Sequence, residues 1–324
     1  MKDILYIVIP CYNEQEVLPK TSKSFLEQLN KMITEKQISN QSKIMFVDDG
    51  SEDDTWEIIQ NLAKQDKHFV GIRQSRNRGH QNTLLAGLME VKDVCDLAIS
   101  IDCDGQDDIS AMSKMVEKYH DGAEIVYGVR NDRKEDSFLK RNTAQFFYKL
   151  LRAMGVEAIY NHADYRLLSD RALKELSNFK EVNLFLRGLV PLIGFSSAKV
   201  YYSRSRRVAG KSHYSLGKML GLAFDGITSL SIKPIRMILC FGFFAALASF
   251  IGIIYSFIIF ITGHSVNGWA SLATIVCFFG GVQTMSLGII GEYIGKAYLE
   301  TKTRPRYIIS ERTYKKRYRN DTID

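Results

Sequence analysis

The stretch ILYIVIPCYNE, residues 4–14, decides the fold. Ile4–Ile9 is apolar without polar alternation, so it reads as a strand covered on both faces, as strands of parallel sheets are. Pro10 breaks the run, polar residues follow at Asn13-Glu14, and helical spacing begins at about Gln15. The same succession recurs along the chain: Ile44–Val47 then Thr55–Lys64, Phe69–Arg73 then Gln81–Val91, Leu97–Ile101 then Ser110–Tyr119, with Ile125–Tyr127 after them. Strands alternating with helices predict an α/β fold with a mostly parallel central sheet. Such sheets bind ligands beyond the carboxyl ends of their strands. Polar clusters stand at those ends: Asn13-Glu14, Asp48-Asp49-Gly50-Ser51 and Asp102-Cys103-Asp104.

The C-terminal third reads differently. Met237–Ile261 and Trp269–Ile290 contain no Asp, Glu, Lys or Arg, and about 20 apolar residues span a bilayer's hydrocarbon core. Two spans joined as a hairpin are expected. The connection, Thr262–Gly268, lacks Lys and Arg, whereas Lys233 and Arg236 precede the first span and Lys296, Lys302, Arg304 and Arg306 follow the second. By the positive-inside rule both termini and the catalytic portion are expected on the cytoplasmic side of a multi-pass membrane protein. Before the first span, Leu216, Leu220, Ala223, Ile227 and Leu230 recur at helical spacing, which predicts an amphipathic helix in the membrane interface or, alternatively, packed on the soluble domain. Four regions result: a catalytic domain over 1–212, an interface helix over 213–232, the hairpin over 233–291 and a basic tail over 292–324.

The net charge of +7 does not point to nucleic acid, because the basic residues crowd into Arg204–Lys211 and Arg304–Arg319, on either side of the hairpin, where anionic headgroups would attract them. The five cysteines show no CxxC or Cys/His spacing, and two lie in the proposed spans, so free thiols and no zinc site are expected. No long apolar run with a small-residue cleavage site follows Met1, and a signal peptide is not expected.

Neither G-x-G-x-x-G nor G-x-x-x-x-G-K-[ST] occurs, which argues against a dinucleotide-binding dehydrogenase and a P-loop enzyme. Carboxylates at strand ends suit a nucleotide whose phosphates are neutralised by a divalent ion. Asp102 and Asp104 can offer hard oxygen ligands to Mg2+ or Mn2+, with Gln106 as a supporting contact. Alone, D-x-D is as easily an acidic loop. Asp48 and Asp49 can equally form an Asx-turn or cap the helix at Thr55.

Taken together, IVIPCYNE (7–14), VDDGS (47–51) with Asp53 and Thr55, NRGH (77–80), DCDGQD (102–107), DYRLL (164–168) and LRGLVPLIGF (186–195) resemble the family-2 inverting glycosyltransferases of GT-A fold. The apolar hairpin with GEYIG (291–295) and RPRY (304–307) narrows the resemblance to polyisoprenyl-phosphate glycosyltransferases, both the bacterial undecaprenyl-phosphate type and the dolichyl-phosphate mannose type. One departure is that Gly105 and Asp108 stand where that family's metal loop often has Leu and Pro.

The resemblance implies that Pro10, Tyr12, Glu14, Val47 and Asp49, with Asp102, Cys103 and Asp104, hold the nucleotide of a nucleotide-sugar donor. It also implies a polyisoprenyl-phosphate acceptor and a homo-oligomer, a tetramer being one form. Asp164 is placed near the transferred sugar. Its roles are general base, orienting group or, structurally, a cap for the helix near Ser169. A phosphate monoester with a second pKa near 6 needs little deprotonation, so orientation is expected to count for at least as much as proton removal. Arg130, Arg141, Arg204, Arg207 and Lys211 are the candidates for bridging an anionic acceptor to a diphosphate, although Arg204–Tyr214 also reads as a solvated charge run. His80 and His213 read as packing or hydrogen-bonding residues.

The expected activity is sugar transfer to undecaprenyl phosphate at the cytoplasmic face of the membrane, with UDP-glucose or UDP-N-acetylglucosamine as donor. GDP-mannose is the alternative donor. A processive polysaccharide synthase lacks support, since no Q-x-x-R-W motif occurs. A catalytically silent scaffold or nucleotide sensor is the rival from another class.

Overall fold

The computed structural model describes residues 2–131, 162–203, 228, 231–262 and 268–315. Arg141, Arg204, Arg207, Lys211 and nearly all of the expected interface helix lie outside the described residues.

The N-terminal two-thirds alternates as β1 (Leu5–Cys11), α1 (Leu18–Thr34), β2 (Lys43–Asp48), α2 (Thr55–Gln65), β3 (Phe69–Gln74), α3 (His80–Val91), β4 (Leu97–Ser100), α4 (Ala111–His120) and β5 (Ile125–Arg130). There follow β6 (His162–Ser169), α5 (Asp170–Leu176), α6 (Leu186–Leu192) and β7 (Ser197–Tyr202), then the long helices α7 (Lys233–Ile261) and α8 (Trp269–Thr301), and a final strand β8 (Ile309–Arg312). The strand order is β7-β5-β6-β4-β1-β2-β3-β8. β4, β1, β2 and β3 run parallel, as do β5 and β7, while β6 is antiparallel to both its neighbours and β8 to β3.

Continuous apolar strands are buried on both faces, as their sequence demands. In β1, Leu5, Ile7 and Ile9 join one core with Phe25, Leu29, Trp56 and Met112. Val8 points the other way, into a core with Leu84, Leu85, Leu88, Leu173 and Val190. Each fully buried side chain of this kind contributes roughly 1.5–3 kcal/mol relative to exposure. Gly87 lets α3 lie close on the sheet, since a Cβ there would stand 2.4 Å from Val8 Cγ1 and 2.7 Å from Val47 Cγ2.

Helix α1 begins at Leu18 rather than about Gln15. Pro19 sits in its first turn, where a missing N–H costs nothing, and the intervening residues form a turn in which Asn13 takes φ 53°. The region expected as a basic tail from 292 divides instead into the end of α8 and a segment that returns to the sheet. There β8 pairs with β3, Thr313 exchanges hydrogen bonds with Gly71, and Arg312 and Tyr314 bind the buried Glu90.

Both uncharged stretches are helical, within α7 and α8, and the two helices touch. Among the described residues one helix, α7, is long and apolar enough over Lys233–Gly252 to cross a membrane, by length and composition. Large apolar side chains stand exposed on both helices, including Leu239, Phe243 and Phe250 on α7 and Leu272, Phe278 and Met285 on α8.

Candidate active site

The carboxyl ends of β1, β2 and β4 and the end of β5 converge on one edge of the sheet. At the end of β1, Pro10 and Cys11 are buried and Tyr12 is exposed. The turn that follows is tied to the end of β2: Ser51 Oγ accepts from the Asn13 amide at 2.9 Å and Thr55 Oγ1 from the Glu14 amide at 2.8 Å. Gly50 makes that turn with φ 69°, and a Cβ there would lie 2.7 Å from the Arg76 carbonyl carbon, so glycine is required on both counts.

Asp48 is buried and adopts the Asx-turn role, accepting from the Ser51 amide at 3.1 Å and pairing with Arg73 Nε at 3.2 Å. Asp49 is buried too. Its Oδ1 accepts from the Arg78 amide at 2.7 Å and Gln74 Nε2 at 3.1 Å, and its Oδ2 from the Gly79 amide at 2.9 Å. This carboxylate therefore builds the 77–80 turn that opens α3. Burial raises the pKa of both carboxyls against the pull of these hydrogen bonds. Val47 lies in the core, so only its backbone can reach a nucleotide.

Beyond β4, the Asp102 side chain is 31% exposed, while Cys103 and Asp104 are buried. Cys103 Sγ lies 3.9 Å from Thr21 Oγ1 of α1, leaving its backbone to face a ligand. Gly105 turns the chain with φ 67°, and the Gln106 amide donates to Asp104 Oδ1 at 3.1 Å. Arg130, at the end of β5, donates from Nη2 to Asp107 Oδ1 at 3.5 Å and from Nε to the Tyr202 hydroxyl at 3.3 Å. The Tyr202 hydroxyl itself donates to Asp107 Oδ1 at 2.9 Å. The guanidinium is thus fastened to the loop carrying Asp102 and Asp104.

Because β6 runs antiparallel to β4 in the register Ser100↔Arg166, Asp164 comes level with Asp102 at the same edge. It does not cap a helix, for Ser169 caps α5 through the Ala172 amide. Its carboxylate is instead held by three cations: Arg166 Nη2 at 2.5 Å from Oδ1, Arg187 Nη2 at 3.0 Å from Oδ2, and His80 Nε2 at 3.3 Å from Oδ2. Gln81 Nε2 is at 3.5 Å. Burial alone would raise the Asp164 pKa, but Arg187, His80 and Arg166 overcome it and hold the carboxyl well below its usual range. Burial works against charge on His80, yet its hydrogen bond to Asp164 and the charge of Asp102, 3.7 Å away, raise its pKa to about 8. A carboxylate so stabilised is a fixed anion and a weak proton acceptor.

The sequence reading missed the partners that define this site: Arg166, Arg187, Gln81, Asp107 and Tyr202, and the bridging position of His80. Arg166 gave a signal, being a charged residue inside the apolar strand Tyr165–Leu168, where only a buried ion pair makes it tolerable. Asp107 and Arg187 lie in motifs that carry the family resemblance, whereas Gln81 and Tyr202 gave no signal, because their partners are distant in sequence.

The mostly parallel mixed sheet, with carboxylates gathered at one edge, is of GT-A-like α/β type. The chain matches the model of glycosyl transferase family 2 over residues 6–177 and that of the GtrB C-terminal hairpin over 233–297. It belongs to glycosyl transferase family 2. It is 51% identical over 306 residues to the uncharacterized glycosyltransferase YkoT of Bacillus subtilis (strain 168), covering 94% of this chain and 91% of that protein. It is 39% identical over 313 residues to the bactoprenol glucosyl transferase of Shigella phage SfX, covering 94% of this chain and 98% of that protein. Among solved structures, the mannosyltransferase PcManGT from Pyrobaculum calidifontis is similar over 93% of this chain and 88% of that chain, with a TM-score of 0.47 and 14% identity.

Proposed function

We propose that this enzyme transfers glucose from a nucleotide diphosphate, UDP-glucose before UDP-N-acetylglucosamine, to a polyisoprenyl phosphate such as undecaprenyl phosphate at a membrane surface. The observation that carries the reading is the joining, in one chain, of the carboxylate-lined sheet edge with two helices whose large apolar side chains are exposed. An acceptor with a phosphate head and a long apolar chain meets both halves. The near full-length likeness to a bactoprenol glucosyl transferase supports glucose and the lipid acceptor.

Exposed apolar surface on this scale calls for lipid or a partner. We take α7 and α8 as a two-span hairpin, preceded by an interface helix over 213–232, with the catalytic domain and both termini cytoplasmic and with copies associating through the spans.

The donor set fits a divalent cation in part. Asp102 offers a part-exposed carboxylate beside Asp104, but among the described residues no three His, Cys, Asp or Glu side chains are arranged to hold a metal ion. Mg2+ or Mn2+ would therefore take its remaining oxygens from the diphosphate. When bound, such an ion neutralises charge developing on the departing diphosphate.

The protein's own groups do the rest. Pro10, Tyr12, Glu14, Val47, Asp49 and the Asp102–Asp104 backbone surround the nucleotide, where Tyr12 can stack on the base. An acceptor oxygen, ionised at neutral pH, attacks the anomeric carbon; that C–O bond forms as the bond to the diphosphate breaks, with inversion. Asp164, an anion fixed by its three cations, orients sugar hydroxyls. Arg130, anchored beside the diphosphate, screens the approach of one phosphate to the other, assisted by Arg141, Arg204, Arg207 and Lys211.

Purified full-length protein should transfer label from UDP-glucose to undecaprenyl phosphate and release UDP, with UDP-N-acetylglucosamine and GDP-mannose as comparison donors. UDP release without lipid product, or no turnover of any donor, overturns the reading. Label from GDP-mannose alone moves the protein to the mannose-transferring branch.

A further inference from the structure

Glu300 is the last residue but one of α8. An acidic side chain is disfavoured there by the helix dipole, so local propensity does not explain it. Its contacts do. The carboxylate accepts from the Val182 amide at 2.9 and 2.8 Å, from the Asn183 amide at 2.8 Å and from Asn183 Nδ2 at 2.8 Å. Asn183 Nδ2 also reaches the Lys296 carbonyl at 3.3 Å, and just past the helix Arg306 Nη1 donates to the Phe179 carbonyl at 2.8 Å. The segment 179–183 is thereby gripped by the end of α8 and the residues after it.

That segment leads directly into α6. The first residue of α6, Leu186, donates its amide to Gln81 Oε1 at 3.0 Å and accepts from Arg166 Nη1 on its carbonyl at 3.1 Å. The next, Arg187, grips Asp164. A short stretch of backbone, 183–187, therefore joins the hydrogen bonds at the end of the second long helix to those that hold the anion at the centre of the site.

We infer that Glu300 is a positioning residue for the transfer reaction: it fixes the start of α6, and through Arg187 the orientation of Asp164, to the end of the hairpin that meets the lipid acceptor. The inference rests on the function proposed above and deepens it. Holding both substrates' sites on one rigid connection matters because small misplacements of reacting groups are expensive in rate.

The test uses the full-length enzyme in lipid nanodiscs. Glu300→Ala should lower kcat about tenfold, with the KM for UDP-glucose within about twofold of wild type. The loss should be the same with undecaprenyl phosphate and with a short-chain soluble polyprenyl phosphate. Arg187→Lys should then cost much less in the Glu300→Ala background than alone, since both act through one connection. Amide hydrogen exchange should accelerate over α6 in Glu300→Ala while α3 stays protected, a readout that does not depend on turnover. Additive effects of the two substitutions, a loss confined to the long-chain acceptor, or unchanged exchange over α6 each overturn the inference. If Glu300→Ala does not fold, Asn183→Ala, which removes bonds from the opposite side, takes the same measurements with the same outcomes decisive. Absence of lipid product in wild type alongside accelerated α6 exchange in the variant would strike the proposed activity and leave the connection standing.

Discussion

Replacing Asp164 by Asn preserves shape and removes the charge that three cations share. The arithmetic turns on Arg166, whose side chain is 1% exposed and lies 2.5 Å from the carboxylate. Deleting one partner of a buried pair costs about 3–5 kcal/mol, because the other is left charged without compensation. Arg187 and His80 are 39% and 37% exposed, so water can rehydrate them once the carboxylate's charge is removed, and they add little to the cost of the substitution. The asparagine oxygen still accepts one bond, which places the cost near the lower limit, about 3 kcal/mol. For a domain of this size each kcal/mol moves the unfolding midpoint by roughly 2–4 °C, so Asp164→Asn should melt about 6–12 °C lower at neutral pH. The gap has a definite pH dependence. Asp164 has a folded pKa below its ordinary 3.8, so its stabilisation is complete above that value and is lost as pH falls through the folded one. The two proteins should converge in acid. Scanning fluorimetry of detergent-purified protein from pH 7.5 downward measures this, with sugar transfer followed in parallel. Asp164→Asn/Arg166→Met should recover much of the stability, since an apolar replacement for a buried pair is often neutral, and none of the transfer. Equal midpoints at neutral pH would refute the buried-anion argument. Residual activity rising steeply above about pH 7 would instead mark Asp164 as a base whose work hydroxide had taken over.

Asp104→Asn, or excess EDTA with wild type, should reduce transfer at least about a hundredfold without loss of fold, and near-normal turnover in either removes the metal from the mechanism. Arg130→Lys keeps charge but loses the fork on Asp107 and Tyr202, so acceptor use should weaken while nucleotide-sugar binding, measured by calorimetry, stays near wild type; the reverse pattern assigns Arg130 to the donor. His80 has a pKa raised from 6.5 to about 8, so the stability advantage of wild type over His80→Gln should be full below pH 6.5 and vanish as pH rises through about 8, measured by thermal melts in metal-free buffer. A single cysteine at Ser265 should react with an impermeant thiol reagent from outside intact cells, whereas tags at either terminus should be reached only after permeabilisation; protection of position 265 contradicts the hairpin.

What could be read from the sequence divides along physical lines. Strands β1 and β4 were legible because parallel strands buried on both faces must be continuously apolar, and the acids at their ends had nowhere to go but the sheet edge. The start of α1 was misplaced because residues 13–17 spend their hydrogen bonds on a turn tied to Ser51, Asp53 and Thr55, which spacing alone does not reveal. Asp164 was legible through the resemblance to family 2. Its ring of cations was not, since Arg187 lies 23 residues away and His80 still further, and only the antiparallel register of β6 brings them together. Strand β8, ISER, has no strand-like pattern of its own. It is a strand because β3 has an edge to fill.

That last pairing has a bearing on how the molecule is made. Until β8 arrives, β3 presents an open row of amides and carbonyls, the kind of edge that recruits other chains. Trp56 lacks Glu311, its hydrogen-bond partner at 3.1 Å, and the buried Glu90 lacks Arg312. The segment that closes this edge, Ile309–Arg312, is synthesised after both long helices. The catalytic sheet is therefore complete only once the chain beyond both long helices has been made and has returned to β3. A chain cut short before residue 309 would display the bare β3 edge and lose the Arg312 and Tyr314 contacts of Glu90, a signature by which quality-control proteases could distinguish it from the finished enzyme.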